Sequence, residues 1–113
     1  MDVRTVNLEA GMPTAAFAIN HMNQELRRAK AARLRAVKLI HGWGSSGKGG
    51  RIKEEVQREL AKKKRMGTIK DYVRGEDFSP FSQDARRILT DCPDLAKDKD
   101  YSRNNAGITV VLL

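Results

Sequence analysis

The residues with the most chemical potential lie in one run, His41–Gly42–Trp43–Gly44–Ser45–Ser46–Gly47–Lys48–Gly49–Gly50, which holds five of the nine glycines of the chain. Glycines let backbone N–H groups turn toward an anion, and Lys48 and Arg51 add full positive charges at the same place. A phosphate is the natural guest of such a loop. His41 opens the run, where an imidazole beside a carboxylate can act as general base or acid near neutral pH. Glu9 is the candidate carboxylate. Cleavage of a phosphodiester also needs donors to the developing negative oxygens, a role that suits Lys48 and the loop amides. Trp43, between two glycines, has a face free to stack on an unpaired base. The candidate catalytic residues are therefore His41 and Glu9. The candidate nucleic-acid contacts are Gly42, Trp43, Gly44, Ser45, Ser46, Gly47, Lys48 and Arg51.

The spacing Gly42-x-x-x-x-Gly47-Lys48 is that of a phosphate-binding P-loop, but Gly49 stands where a magnesium-holding Ser or Thr belongs. No apolar run ending in Asp follows to supply a second magnesium partner. A phosphate- or nucleotide-binding P-loop protein is thus a weaker reading. No cofactor is read from the sequence, although a divalent cation is compatible with phosphodiester chemistry. One cysteine, Cys92, and two histidines exclude a disulfide framework and a thiol-rich metal site. Cys92, between Asp91 and Pro93, reads as a loop thiol.

Charge points to the same class of partner. The chain has a formal net charge of +8 over 113 residues. Residues 25–65 carry fourteen Lys or Arg against four acids. Such a central basic segment is the footprint of a polyanion binder, DNA or RNA. The alternative is a non-catalytic protein-interaction module that offers a basic face to an acidic partner. No apolar run is long enough to span a membrane, and the start lacks the apolar core of a secretory signal. A cytoplasmic location, without a membrane partner, is the expectation.

The elements that must position these residues follow from hydropathy patterning. Val3 to Leu8 alternates as a short strand. Gly11 breaks it and Pro13 suits a helix start. From Thr14 to about Arg33, Ala15, Ile19, Met22, Leu26 and Ala29 recur every three or four residues, which predicts an amphipathic helix. Ala36–Ile40 is a second strand. The strand–helix–strand unit implies two parallel strands joined by a right-handed crossover. Ile52, Val56 and Leu60 predict a second helix over about 50–64, stopped by Gly67. Thr68–Val73 reads as a third strand, Asp84–Leu89 as a short helix, and Gly107–Leu113 as an apolar strand interior to the sheet. Residues 91–105 are polar and read as an exposed excursion. The expected fold is a single α/β domain over 1–113. It is a two-layer sandwich, β-α-β-α-β-(α)-β, whose mixed sheet has two parallel N-terminal strands.

His41–Gly42–Trp43–Gly44, with the strand before it and the amphipathic helix after it, resembles the Smr (small MutS-related) domain. Gly107–Ile108–Thr109–Val110–Val111–Leu112 is similar to that family's closing Gly-x-Thr-x-x-Leu strand. The alignable parts are about 3–74 and 106–113, and 75–105 looks like an insertion or a lengthened connection. The resemblance implies a two-layer α/β fold that binds DNA or RNA and, in many members, acts as an endonuclease that nicks it. Family members typically begin with Leu-Asp-Leu-His-Gly. Here the equivalent is Val6–Asn7–Leu8–Glu9–Ala10–Gly11, with one extra residue. Asn7 takes the place of Asp and Glu9 that of His, while His41 is kept.

Overall fold

A computed structural model describes residues 2–42 and 48–113, without the side chains of 48–50. The elements are β1 (Val3–Asn7), α1 (Ala15–Ala31), β2 (Ala36–Ile40), α2 (Lys48–Met66), β3 (Asp71–Arg74), α3 (Gln83–Asp91) and β4 (Ile108–Leu112). They form one four-stranded mixed sheet in the order β1-β2-β4-β3. β1 and β2 are parallel, with Val3 opposite Ala36 and Asn7 opposite Ile40. β4 is antiparallel to both β2 and β3. The alternation of side chains along a strand then assigns the faces. Val37, Leu39 and Val111 point to the face covered by α1 and α2, where they pack with Met22, Leu26, Val56 and Leu60. Ile108, Val110 and Leu112 point the other way, into a second core with Phe78, Ile88 and Leu95.

That second core gives residues 75–105 a structural task. Read as an exposed excursion, the segment 91–105 in fact covers the sheet's far face, together with α3. Cys92 and Leu95 are buried there, and Tyr101 packs edge-on against Phe78 with ring centroids 5.0 Å apart. A polar segment can do this because its charges are matched. Lys38 sits in the middle of β2, faces this side and is 3% exposed. Its ammonium pairs with Asp98 at 2.9 Å and with Asp100. Asn105 donates to Asp100 at 3.0 Å. Burial alone would lower the Lys38 pKa, but the hydrogen bonds it donates to Asp100 and Asp98 raise it above 10.5. A buried charge is tolerated only with such partners.

Three helix ends complete the frame. Thr14 caps α1 by accepting from Phe17 N at 3.1 Å. At the other end Leu34 N donates to Ala29 O and Thr68 N to Lys63 O, so α1 and α2 both close in Schellman turns. The left-handed residue of the α2 turn is Gly67 (φ 77°), but that of α1 is Arg33 (φ 60°).

Candidate nucleic-acid interface

The parallel strands β1 and β2 end side by side, and the helices that follow them start at the same rim. Ligands of open α/β sheets bind at this edge, beyond the carboxyl ends of the strands. The helix N-termini add a positive field there. Neither α1 nor α2 has an acid in its first turn, the place where acids ordinarily neutralise that field.

The turn after β1 is organised by Asn7. Its Oδ1 accepts from Glu9 N at 3.0 Å and Ala10 N at 3.2 Å. An Asp at this position would make the same bonds, so the Asn keeps the turn while removing its charge. Met12 N donates to Glu9 O at 3.1 Å, and Gly11 and Met12 both take positive φ. The turn lays the Glu9 carboxylate against Gly42. A side chain built on Gly42 would collide with Glu9 Oε2, and the φ of Gly42 is 74°. Glycine is therefore favoured at 42 by its conformation, while a Cβ there would displace only the flexible end of Glu9. Glu9, expected as the carboxylate partner of His41, is exposed and lies against Gly42 instead, while both His41 ring nitrogens bond other groups. Met12 and Phe17, 73% and 66% exposed, stand on the same turn and the first turn of α1.

His41 is placed differently from an exposed acid–base group. Strand alternation continues Val37 and Leu39 into His41, so its ring enters the layer beneath α2 and is fully buried. Its backbone N donates to Gly107 O at 2.9 Å, and Gly42 N to the same oxygen at 3.0 Å. Both ring nitrogens are engaged: Nδ1 lies 2.7 Å from Gly42 O and Nε2 lies 2.8 Å from Thr109 Oγ1. A carbonyl oxygen can only accept, so Nδ1 carries the proton. The neutral ring then accepts at Nε2 from the Thr109 hydroxyl. The same hydroxyl oxygen accepts from Gln57 Nε2 at 2.8 Å. The result is a directed chain from Gln57 through Thr109 and His41 to the Gly42 carbonyl, joining α2, β4 and the start of the loop.

Electrostatics favour the neutral ring. Burial lowers the His41 pKa below 6.5, and the Lys53 ammonium adds to this, against upward pulls from the Gly42 carbonyl and Glu76. Lys53 is paired with Glu76 at 2.9 Å. Burial would raise the Glu76 pKa, but that ammonium holds it below 4.5. Gln57, Thr109, Lys53 and Glu76 had no assigned role in the sequence. Thr109 gave two signals, a hydroxyl in the middle of an apolar strand and its place in the Gly-x-Thr-x-x-Leu pattern. Arg51 is exposed near the start of α2. Trp43, Gly44, Ser45, Ser46 and Gly47 lie outside the described residues, as does the Lys48 side chain. Among the described residues no cluster of three or more His, Cys, Asp or Glu is arranged to hold a metal ion.

A family model described as the Smr domain matches residues 10–77, more than half of the chain. The chain belongs to the Smr family. That family is associated with nucleic-acid binding and nicking. The solved structure titled "Crystal structure of the Smr domain of Thermus thermophilus MutS2" is similar, with a TM-score of 0.60 and 23% identity over 97% of this chain and 96% of that one. At that identity the likeness speaks to the fold, and the Smr fold accounts for the mixed sheet with its parallel β1 and β2. No curated protein matches the chain. Among the described residues no helix is long and apolar enough to cross a membrane.

Proposed function

We propose that this Smr domain binds nucleic acid at the rim where β1 and β2 end, with the loop 42–47 and the start of α2 on the phosphate backbone. The observation that supports this most is the pairing of two helix N-termini, both free of acids in their first turns, with a glycine-rich, lysine-bearing connection at one sheet edge. Backbone amides and helix dipoles hold phosphates without sequence preference. His41 serves this site from beneath: it fixes Gly42, and Gly42 leaves room for Glu9. Met12 and Phe17 add apolar surface on which an unpaired base can stack. The test is a gel shift at low salt with labelled DNA and RNA, comparing wild type with Lys48→Gln/Arg51→Gln. Retarded complexes that the double variant weakens support the reading. Absence of any complex with either nucleic acid at low salt rejects it.

Nicking is the second reading, favoured by one observation, the exposed Glu9 carboxylate against Gly42. In that reading Glu9 faces the phosphodiester as base. His41 reaches a proton only by giving up its bond to Thr109. Incubation of supercoiled plasmid and structured RNA with wild type, Glu9→Gln and His41→Ala decides between them. Nicking lost in Glu9→Gln supports cleavage by this rim. Nicking that survives both substitutions removes them from the mechanism, and its absence in wild type leaves a binding module.

A further inference from the structure

The positive charge of the chain is not gathered at the loop. α1 and α2 both start at the rim and run away from it, so the basic residues of their second halves lie at the opposite end. There the last turns of α1 carry Arg28 and Lys30, and those of α2 carry Lys63, Lys64 and Arg65. Helix C-termini attract cations, which explains part of this gathering. Two features go further.

The first is a hollow of about 70 Å³ between the two helices, lined by Asn23, Arg27, Lys30 and Lys63 over an apolar floor that includes Leu26 and Ile69. Lys30 Nζ donates to Thr68 O at 2.9 Å, which holds its ammonium at the hollow. Among the described residues Arg27 and Lys30 are in no ion pair, and the nearest carboxylate to Lys63 is Glu59 at 3.9 Å. Asn23 Oδ1 is buried and has no hydrogen-bond partner. A half-turn of that amide offers its N–H₂ group instead. Three cations thus surround a small cavity, Arg27 unpaired among the described residues, Lys30 bonded only to a carbonyl and Lys63 only loosely paired.

The second feature is Arg33. Its φ of 60° is the left-handed conformation that Gly67 fills in the matching turn of α2. A glycine would relax this turn. The chain instead carries another exposed cation there.

We propose that the hollow between the second halves of α1 and α2 binds a phosphate group of a nucleic-acid backbone, as a second anchor remote from the loop. The ligand class rests on the reading given under Proposed function. The geometry suits a backbone lying along α2. Arg51 and Lys63 are twelve residues apart, or about 18 Å at ~1.5 Å per residue. Phosphates along one strand of a duplex are spaced ~3.4 Å along the axis, so roughly five of them separate the two contacts. Arg58 and Lys62 are exposed between these points.

The experiment measures the affinity of a labelled duplex of about 16 base pairs as a function of salt. It compares wild type with Arg27→Gln, Arg27→Gln/Lys30→Gln and Arg51→Gln. Each lost phosphate contact lowers the slope of log K against log salt by ~0.9. The double variant loses that one contact and is expected to flatten the slope by about 0.9, and Arg27→Gln by less than that. Among the described residues the Arg27 side chain makes no hydrogen bond or ion pair, so its variant is expected to keep the wild-type melting temperature. Slopes of both hollow variants equal to wild type, with Arg51→Gln reduced, overturn the second anchor and leave the loop site standing. Failure of wild type to bind the duplex overturns both.

Discussion

Replacement of Thr109 by Val tests whether the chain from Gln57 to Gly42 governs the loop. Val matches Thr in shape and suits a strand, so the substitution removes the hydroxyl and little else. Two groups lose their partner at once: the His41 Nε2 lone pair and the Gln57 N–H, each now 2.8 Å from the hydroxyl. An orphaned buried polar group costs about 1–3 kcal/mol, so the expected loss is ~3 kcal/mol. A domain of this size unfolds with an entropy that converts 1 kcal/mol into ~4 °C, which gives a fall in Tm of about 12 °C. Thr109→Ser is the control, because it keeps the hydroxyl and loses a methyl worth ~1 kcal/mol. Long-range ¹H–¹⁵N spectra of the imidazole are a second readout. All three proteins are expected to keep the proton on Nδ1, held by the Gly42 carbonyl, while the Nε2 resonance of the Val variant alone shifts through loss of its hydrogen bond. If Val is as stable as Ser and its Nε2 resonance matches wild type, the hydroxyl does not carry the bond to His41 and the reasoning fails.

Four further outcomes follow from the same structure. In a His21→Asn background, which leaves His41 as the remaining imidazole, stability is expected to fall as pH drops below 6.5, because the unfolded ring takes a proton that the folded ring refuses. The slope reaches at most ~1.4 kcal/mol per pH unit, levels off below the folded pKa and vanishes with His41→Asn. A separate acid limb is expected below pH 4.5 as Glu76 and Asp100, both held low by lysine partners, are forced to protonate; urea titrations at several pH values resolve the two. Lys38→Met leaves the Asp98 and Asp100 carboxylates together without their cation and is expected to cost ~3 kcal/mol in urea denaturation, most of it recovered by adding Asp98→Asn/Asp100→Asn. Arg33→Gly is expected to raise Tm by about 4 °C through relief of the left-handed strain, while weakening nucleic-acid binding by loss of a cation at the far end.

The β-α-β-α start of the fold was legible because Ala15, Ile19, Met22 and Leu26 repeat at helical spacing and the strands are short apolar runs. The parallel pairing of β1 with β2 brings Glu9 to Gly42 at the end of β2, but the expected pairing of Glu9 with the His41 ring is absent from the hydrogen bonds of that ring. What the sequence concealed is burial achieved by pairing rather than by apolarity. Asp98 and Asp100 look solvated in a linear reading, and only Lys38, 60 residues from Asp98, makes them interior. Cys92, a loop residue as expected, is buried for the same reason, since the segment around it covers a sheet face. The burial of His41 could have been inferred from its shared parity with Val37 and Leu39. The place of the basic residues could have been inferred too. Helices that begin at the rim deliver the charges of their last turns to the other end, so a net charge summed over 25–65 overstates what surrounds the loop.

The central claim is that phosphates settle at the rim of β1, β2 and α2 and along the α1–α2 layer. Titration of the ¹⁵N-labelled chain with a short DNA duplex tests it residue by residue. The account predicts progressive shifts at Ala10–Met12, Gly42 and Arg51, then at Arg27–Lys30 and Lys63, with α3 silent. Shifts confined to Gln83–Asp91 and the covering segment 92–105 would contradict it.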